Sequence, residues 1–212
     1  AFLPPYRTAN RFNFEEPVSI GYSAGPEHNR FYAHCHHQDM LAAEAVVPEV
    51  EARFAACMGR RYPGMAEEYC TADAEVVMVT LGSAAGLVRT VVDALRERGV
   101  AAGMLRIRYL RPFPAARIAS ALAGARAVGV LEKDISFGAT GTVYANVMQA
   151  LASAGVAVPT LDFVGGLGGD DLSRAQVEGA FDDLLRLAEE PVAFVADPVV
   201  FLGISGAEGG AA

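Results

Sequence analysis

The rhythm of apolar and polar positions changes near residue 74. Residues 75–82, EVVMVTLG, form a continuous apolar run ending in glycine, the pattern of a strand buried on both faces of a parallel sheet. Leu87, Val88, Val91, Val92 and Leu95 then recur at helical spacing, which predicts an amphipathic helix stopped by Gly99. A second strand is expected in AAGMLRIRYL (101–110), a short helix over 115–123, and a third strand in AVGVLE (127–132). Val143, Tyr144, Val147, Met148 and Leu151 repeat the helical spacing up to Gly155. VAVPTLDFV (156–164) predicts a fourth strand, with Pro159 marking an edge or a strand start. Ser173 followed three residues later by Gln176 is a capping-box pattern; it opens a last helix with Val177, Phe181, Leu184 and Leu185 on its core face. Residues 191–202 offer one further strand.

The first 73 residues read differently. Residues 1–30 carry Pro4, Pro5, Pro17, Gly21, Gly25 and Pro26, and predict an extended arm whose Phe2, Leu3, Tyr6, Phe12 and Phe14 need cover. Residues 37–58 read as helix from Met40, Val46, Val47, Val50 and Phe54, kinked or split at Pro48. Residues 59–73, GRRYPGMAEEYCTAD, read as a linker. Beyond them the strand–helix alternation predicts an α/β fold: three layers around a mostly parallel, doubly wound sheet, behind an extended and helical N-terminal arm. The expected divisions are an arm with linker over 1–72, an α/β domain over 73–204 and a flexible tail over 205–212.

Composition narrows the partners. A 212-residue chain that is 52% hydrophobic can bury a sizeable core. A net charge of −8 and a pI near 5.0 argue against nucleic acid or an anionic membrane as partner. Cys35, Cys57 and Cys70 are odd in number and lack a Cys-x-x-Cys pair, so they read as reduced thiols of a cytoplasmic protein. No apolar run reaches membrane-spanning length and no signal-peptide pattern opens the chain, which starts on Ala1 as a processed chain or a fragment would.

Candidate chemistry is sparse. His34, Cys35, His36 and His37 are adjacent, and adjacent ligands cannot all turn to one ion, so they read as a polar helix entrance. His28 beside Glu27 reads as a surface or interface residue of the arm. In LGSAAG (81–86), Gly82 and Ser83 offer a helix start that suits an anion, without the glycine patterns of nucleotide loops; Ser83 as a helix N-cap is the simpler reading. Ser136 and Gly138 in SFGATG (136–141) pose the same choice, with no Gly-x-Ser-x-Gly elbow for a nucleophile. Glu132 and Asp134 flank Lys133 at the carboxyl end of a strand, where α/β sheets hold ligands; solvated loop charge is preferred. In GGLGGDD (165–171), Gly166, Gly168 and Gly169 demand backbone freedom or close approach by a partner. Asp170 and Asp171 ahead of a helix suit its dipole, and by themselves under-ligate a metal. Residue by residue, no constellation forms a complete active site.

Several stretches together carry a resemblance: FLPPY (2–6), GRRYPGMAEEY (59–69), DAEVVMVTLGSAAG (73–86), VVDALRERGV (91–100), IRYLRPFP (107–114), SFGATG (136–141) and GGLGGDD (165–171). In order and spacing they resemble the C-terminal half of the α subunit of pyruvate:ferredoxin oxidoreductase and related 2-oxoacid:acceptor oxidoreductases. The resemblance implies a transketolase C-terminal-like domain from residue 73 onward, preceded by the closing part of a pyrimidine-side thiamine domain and a linker. It implies a complex that decarboxylates a 2-oxoacid, pyruvate first, on thiamine pyrophosphate with Mg. Electrons then pass through iron–sulfur clusters to ferredoxin, usually with formation of an acyl-CoA. The implied partners are a thiamine-binding β subunit, a γ subunit and a ferredoxin-like δ subunit. The glutamate that activates the thiazolium and the Gly-Asp-Gly pyrophosphate motif are not in this sequence. The expectation is therefore a structural, assembling role, with no catalytic residue and no cofactor held by this chain alone. The family's motif reads Gly-Leu-Gly-Gly-Arg-Asp; here Asp170 replaces the arginine and removes a cation. In that setting Arg108 and Arg111 become structural, Arg111 as a brace to loop carbonyls or to Glu132 or Asp134. The alternative is a stand-alone ligand- or partner-binding α/β module with its ligand near Gly82, Ser83 and Ser136.

Overall fold

Val76–Leu81, the apolar block at the change of rhythm, is the central strand around which a six-stranded sheet is wound. A computed structural model describes residues 3–8, 11, 13–17, 21, 23–190 and 194–204. The chain divides into two compact units, Ala1–Gly64 and Met65–Ala212.

The first unit is dominated by one helix, α1 (Pro26–Met58). It is longer than the sequence suggests, beginning inside the stretch read as an extended arm. Pro26 sits in its first turn, where a missing N–H costs nothing, and Gly59 closes it in left-handed conformation with its N–H donated to the Ala55 carbonyl at 2.9 Å. Pro48 is accommodated within one continuous helix, giving up only the bond to the carbonyl one turn back. His34, His36 and His37 lie along α1, inside the helix rather than at its entrance, and His28 is in its first turn. No residue of α1 is buried. Phe2 and Phe12 lie outside the described residues, as does the tail expected over 205–212.

The second unit runs β1 (Ala66–Tyr69), β2 (Val76–Leu81), α2 (Ala84–Glu97), β3 (Ala102–Ile107), α3 (Ala115–Leu122), β4 (Ala127–Glu132), α4 (Thr142–Ser153), β5 (Thr160–Val164), α5 (Arg174–Glu189) and β6 (Val199–Phe201). The sheet order is β1-β3-β2-β4-β5-β6. All neighbours pair in parallel except β1, which runs antiparallel to β3 with Ala66 opposite Ile107. Pro159 precedes β5, so it marks a strand start, and β5 has neighbours on both sides.

Strand alternation sends Val76 and Met78 to one face, under α2 and α5, and Val77 and Val79 to the other, under α3 and α4. Phe163 and Phe181 are among the largest fully buried side chains. The stretch read as a linker contains β1, whose AEEY carries no apolar alternation. Charge secures this edge instead: Glu67 pairs with Arg89 at 2.6 Å and Arg106 at 3.5 Å, and Glu68 with Arg117 at 3.3 Å. Arg96 clamps the β1–β2 connection through Asp73, at 2.7 and 2.9 Å, and the Cys70 carbonyl at 2.6 Å.

The capping box of α5 is complete. Gln176 N–H donates to Ser173 Oγ at 3.2 Å and Ser173 N–H to Gln176 Oε1 at 2.8 Å. Asp170 and Asp171 lie upstream of this cap and do not enter the first turn. Ser173→Ala is expected to lower stability by about 1 kcal/mol, read as a lower urea midpoint at unchanged m.

Candidate functional site

The chain order of the sheet reverses at β2, with β3 on one side and β4, β5 and β6 on the other. Outside the carboxyl ends of β2 and β4, where doubly wound sheets take ligands, a crevice of about 350 Å³ opens. Its walls are aliphatic, from Leu81, Leu110, Leu131, Val143 and Leu172. Gly82 and Ser83 enter from the β2–α2 turn, Glu132, Lys133 and Asp134 from the end of β4, and Thr142 from the start of α4.

Three carboxylates hold the N-terminus of α4. Gly141 N–H donates to Asp162 Oδ2 at 2.7 Å, Val143 N–H to Glu132 Oε2 at 2.9 Å and Tyr144 N–H to Glu132 Oε1 at 2.8 Å. Asp134 accepts from the Thr142 hydroxyl and from its N–H at 3.3 Å. Four successive amides that a helix leaves without partners are thus satisfied by negative charge at the positive end of its dipole. Gly141 permits the approach: a Cβ there would lie 2.3 Å from the Glu132 carboxyl.

Glu132 is therefore not solvated loop charge. It is 2% exposed, and Asp162 is fully buried. Burial pushes Glu132 up to about 7 against the pull of the Val143 and Tyr144 amides, with the charges of Asp162 and Asp134 adding to the rise. Burial likewise raises Asp162, opposed chiefly by the Gly141 amide. Asp162 Oδ2 accepts from Gly141, and its Oδ1 is buried without a hydrogen-bond partner among the described residues. Asp134, by contrast, is lowered by its bonds to Thr142.

The other expected residues disperse. Ser83 occupies the N-cap position of α2, but in helical φ/ψ and without a side-chain cap bond. Ser136 and Gly138 belong to an exposed turn away from the crevice walls, with Phe137 between them 94% exposed. Gly166, Gly168 and Gly169 all have positive φ, so this loop uses the freedom expected of it. Asp170 accepts the Asp171 N–H at 3.0 Å. Arg111 bonds a loop carbonyl, that of Leu110, at 2.6 Å. Glu132 and Asp134, its other expected partners, serve α4 instead. Arg108 stacks beside Tyr109, 5.9 Å from the ring centroid. Among the described residues, no group of three or more His, Cys, Asp and Glu side chains is placed to hold a metal ion, and no helix is long and apolar enough to cross a membrane. Asp162 and Phe137 went unremarked in the sequence reading; the signals available were a lone acid in the apolar strand TLDFV and an aromatic between Ser136 and Gly138.

Comparison with known proteins now bears on this geometry. Residues 74–177 match the pyruvate:ferredoxin oxidoreductase core domain II family. The chain is 36% identical over 206 residues to pyruvate synthase subunit PorA of Pyrococcus horikoshii, covering 96% of this chain and 51% of the relative. To PorA of Methanothermobacter thermautotrophicus it is 33% identical over 191 residues, covering 90% of this chain and 48% of the relative. Residues 74–177, just under half of the chain, thus carry a pyruvate:ferredoxin oxidoreductase core domain II. It is also 31% identical over 193 residues to ketoisovalerate oxidoreductase subunit VorA of Pyrococcus horikoshii, covering 89% of this chain and 48% of the relative. The chain spans about half the length of the curated relatives it matches. The core domain II match runs from just before β2 into α5, so it contains the crevice and the carboxylate cap of α4 whole, while α1 lies outside it.

Two outcomes test the cap. Gly141→Ala is expected to cost about 1–3 kcal/mol, because its Cβ overlaps the Glu132 carboxyl, measured by urea unfolding. Because Glu132 holds its proton more tightly folded than unfolded, the folded state binds more protons between pH 4.5 and about 7. Its contribution to stability is thus full below that window and declines as pH rises through it. Glu132→Gln should flatten this decline in an unfolding series across the window.

Proposed function

We propose that this chain is an assembly portion of the α subunit of a thiamine-pyrophosphate-dependent 2-oxoacid:ferredoxin oxidoreductase. In that complex the 2-oxoacid, pyruvate first, is oxidatively decarboxylated, usually to an acyl-CoA, with ferredoxin as electron acceptor in the cytoplasm. Thiamine pyrophosphate, Mg and the iron–sulfur clusters are assigned to the whole complex, and the thiamine-binding β, γ and ferredoxin-like δ subunits are the partners. The PorA relatives favour pyruvate, and the VorA relative keeps a branched 2-oxoacid in view.

The observation that carries the assembly role is α1. A helix of 33 residues, about 50 Å long, buries none of them, while Phe31, Tyr32, Leu41, Val46, Val50 and Met58 stand exposed. Apolar surface of that extent is the mark of an interface. The second unit adds an exposed apolar group of its own, where Phe137 and Phe201 line one shallow depression beside β6.

Thiamine pyrophosphate does not fit the crevice at β2 and β4. A diphosphate with its metal needs carboxylates and several cations, whereas here Glu132, Asp134 and Asp162 are engaged by α4 and the walls are aliphatic. The stand-alone module retains one observation in its favour, the crevice itself.

The purified chain is expected neither to bind thiamine pyrophosphate nor to reduce an electron acceptor with pyruvate; turnover by the chain alone would overturn the assignment. Phe137→Ser should change unfolding stability by less than about 0.5 kcal/mol, as exposed positions do, yet weaken recovery of the co-expressed complex in native mass measurement. Equal recovery would remove Phe137 from the interface.

A further inference from the structure

Lys133 is the single lysine among the 17 Lys and Arg residues of the chain. It follows β4 directly and lines the crevice. Its ammonium makes no hydrogen bond or ion pair among the described residues. The acids on either side of it are engaged elsewhere: Glu132 and Asp134 accept from the start of α4. The lysine is exposed, with its end close to the glycine-rich loop. A Cβ on Gly166, which has φ +70°, would lie 2.8 Å from Lys133 Cε and 3.0 Å from Nζ, so the glycine-rich loop leaves a passage that the lysine stem fills.

A second unengaged donor lines the same crevice. Ser83 stands at the head of α2, a 14-residue helix, and its hydroxyl caps nothing. A helix start, an ammonium and a free hydroxyl around an aliphatic hollow call for a ligand with one negative end and an apolar body. The charge of that end is bounded on the page. Lys133 is the only cation among the lining residues, and the Asp134 carboxylate shares the rim, so a single anionic group is balanced where a di- or triphosphate would be repelled.

We infer that the crevice binds a small aliphatic monocarboxylate. Its carboxylate is held by the Lys133 ammonium and the Ser83 hydroxyl, and its tail lies against Leu81, Leu131, Val143 and Leu172. The site is independent of the assembly role: it lies wholly within the second unit, and it concerns binding, not turnover.

The lone lysine gives a direct test. Reductive methylation with isotope-labelled formaldehyde keeps the charge and places NMR-visible groups on Lys133 and the terminal amine alone. Butyrate and 3-methylbutyrate should shift the lysine signal saturably, and both should raise Tm in proportion to log concentration. Butyramide, of the same shape without charge, should bind about tenfold more weakly, as should butyrate to Lys133→Gln, reflecting one lost charge-assisted hydrogen bond. Lys133 is exposed, so the variant should retain the far-UV spectrum of the parent chain. The inference is overturned if no carboxylate saturates the signal, if inorganic phosphate or chloride shifts it as strongly as butyrate, or if Lys133→Gln binds butyrate as tightly as the parent.

Discussion

The start of α4 is held by acids from two neighbouring parallel strands, and the functional end of the sheet depends on that hold. Glu132 comes from the last position of β4, Asp162 from the middle of β5, and Asp134 from the loop between β4 and α4. Each meets a different amide of one helical turn, so the position of α4 is tied to the relative register of both strands. Buried carboxylates without partners would be prohibitive. Here the helix supplies donors and a favourable dipole, and burial raises both Glu132 and Asp162 toward their neutral forms. Thr142 and Val143, the crevice wall on that side, follow from the same arrangement.

Apolar side chains are distributed unequally between the two units. In residues 65–212 the large ones, such as Phe163, Phe181, Met78 and Leu95, are enclosed between sheet and helices. In α1 none is enclosed, and Phe31, Tyr32, Leu41, Val46, Val50 and Met58 are exposed. A helix of that kind gains its stability from tertiary cover rather than from propensity.

The layered fold was legible because β2, β3, β4 and β5 are short apolar blocks separated by helical spacings, and because Ser173 and Gln176 announce a helix start on chemistry local to four residues. What escaped was set by tertiary neighbours. β1 has two glutamates in four positions, and its place in the sheet depends on Arg89, Arg106 and Arg117 far along the chain. The length of α1 was hidden by Pro26 and Pro48, read as breaks though one occupies a first turn and the other is tolerated. Glu132 at a strand end looks like solvated charge until its acceptors meet amides eleven residues later. Gly141 is readable as a close-packing glycine, but only the folded chain shows that a carboxyl is what it packs against.

The two edges of the sheet meet water on different terms. At β1 a stray strand from another molecule encounters a short segment whose two glutamates and their arginine partners resist being stripped of water. At β6 it encounters Val199, Val200 and Phe201, with no charge in the strand and the exposed ring of Phe137 alongside. The two edges of the sheet therefore differ in how readily they take up another strand. The chain's net charge of −8 keeps copies apart in dilute salt, and screening that charge brings the β6 edges of separate molecules into reach of one another.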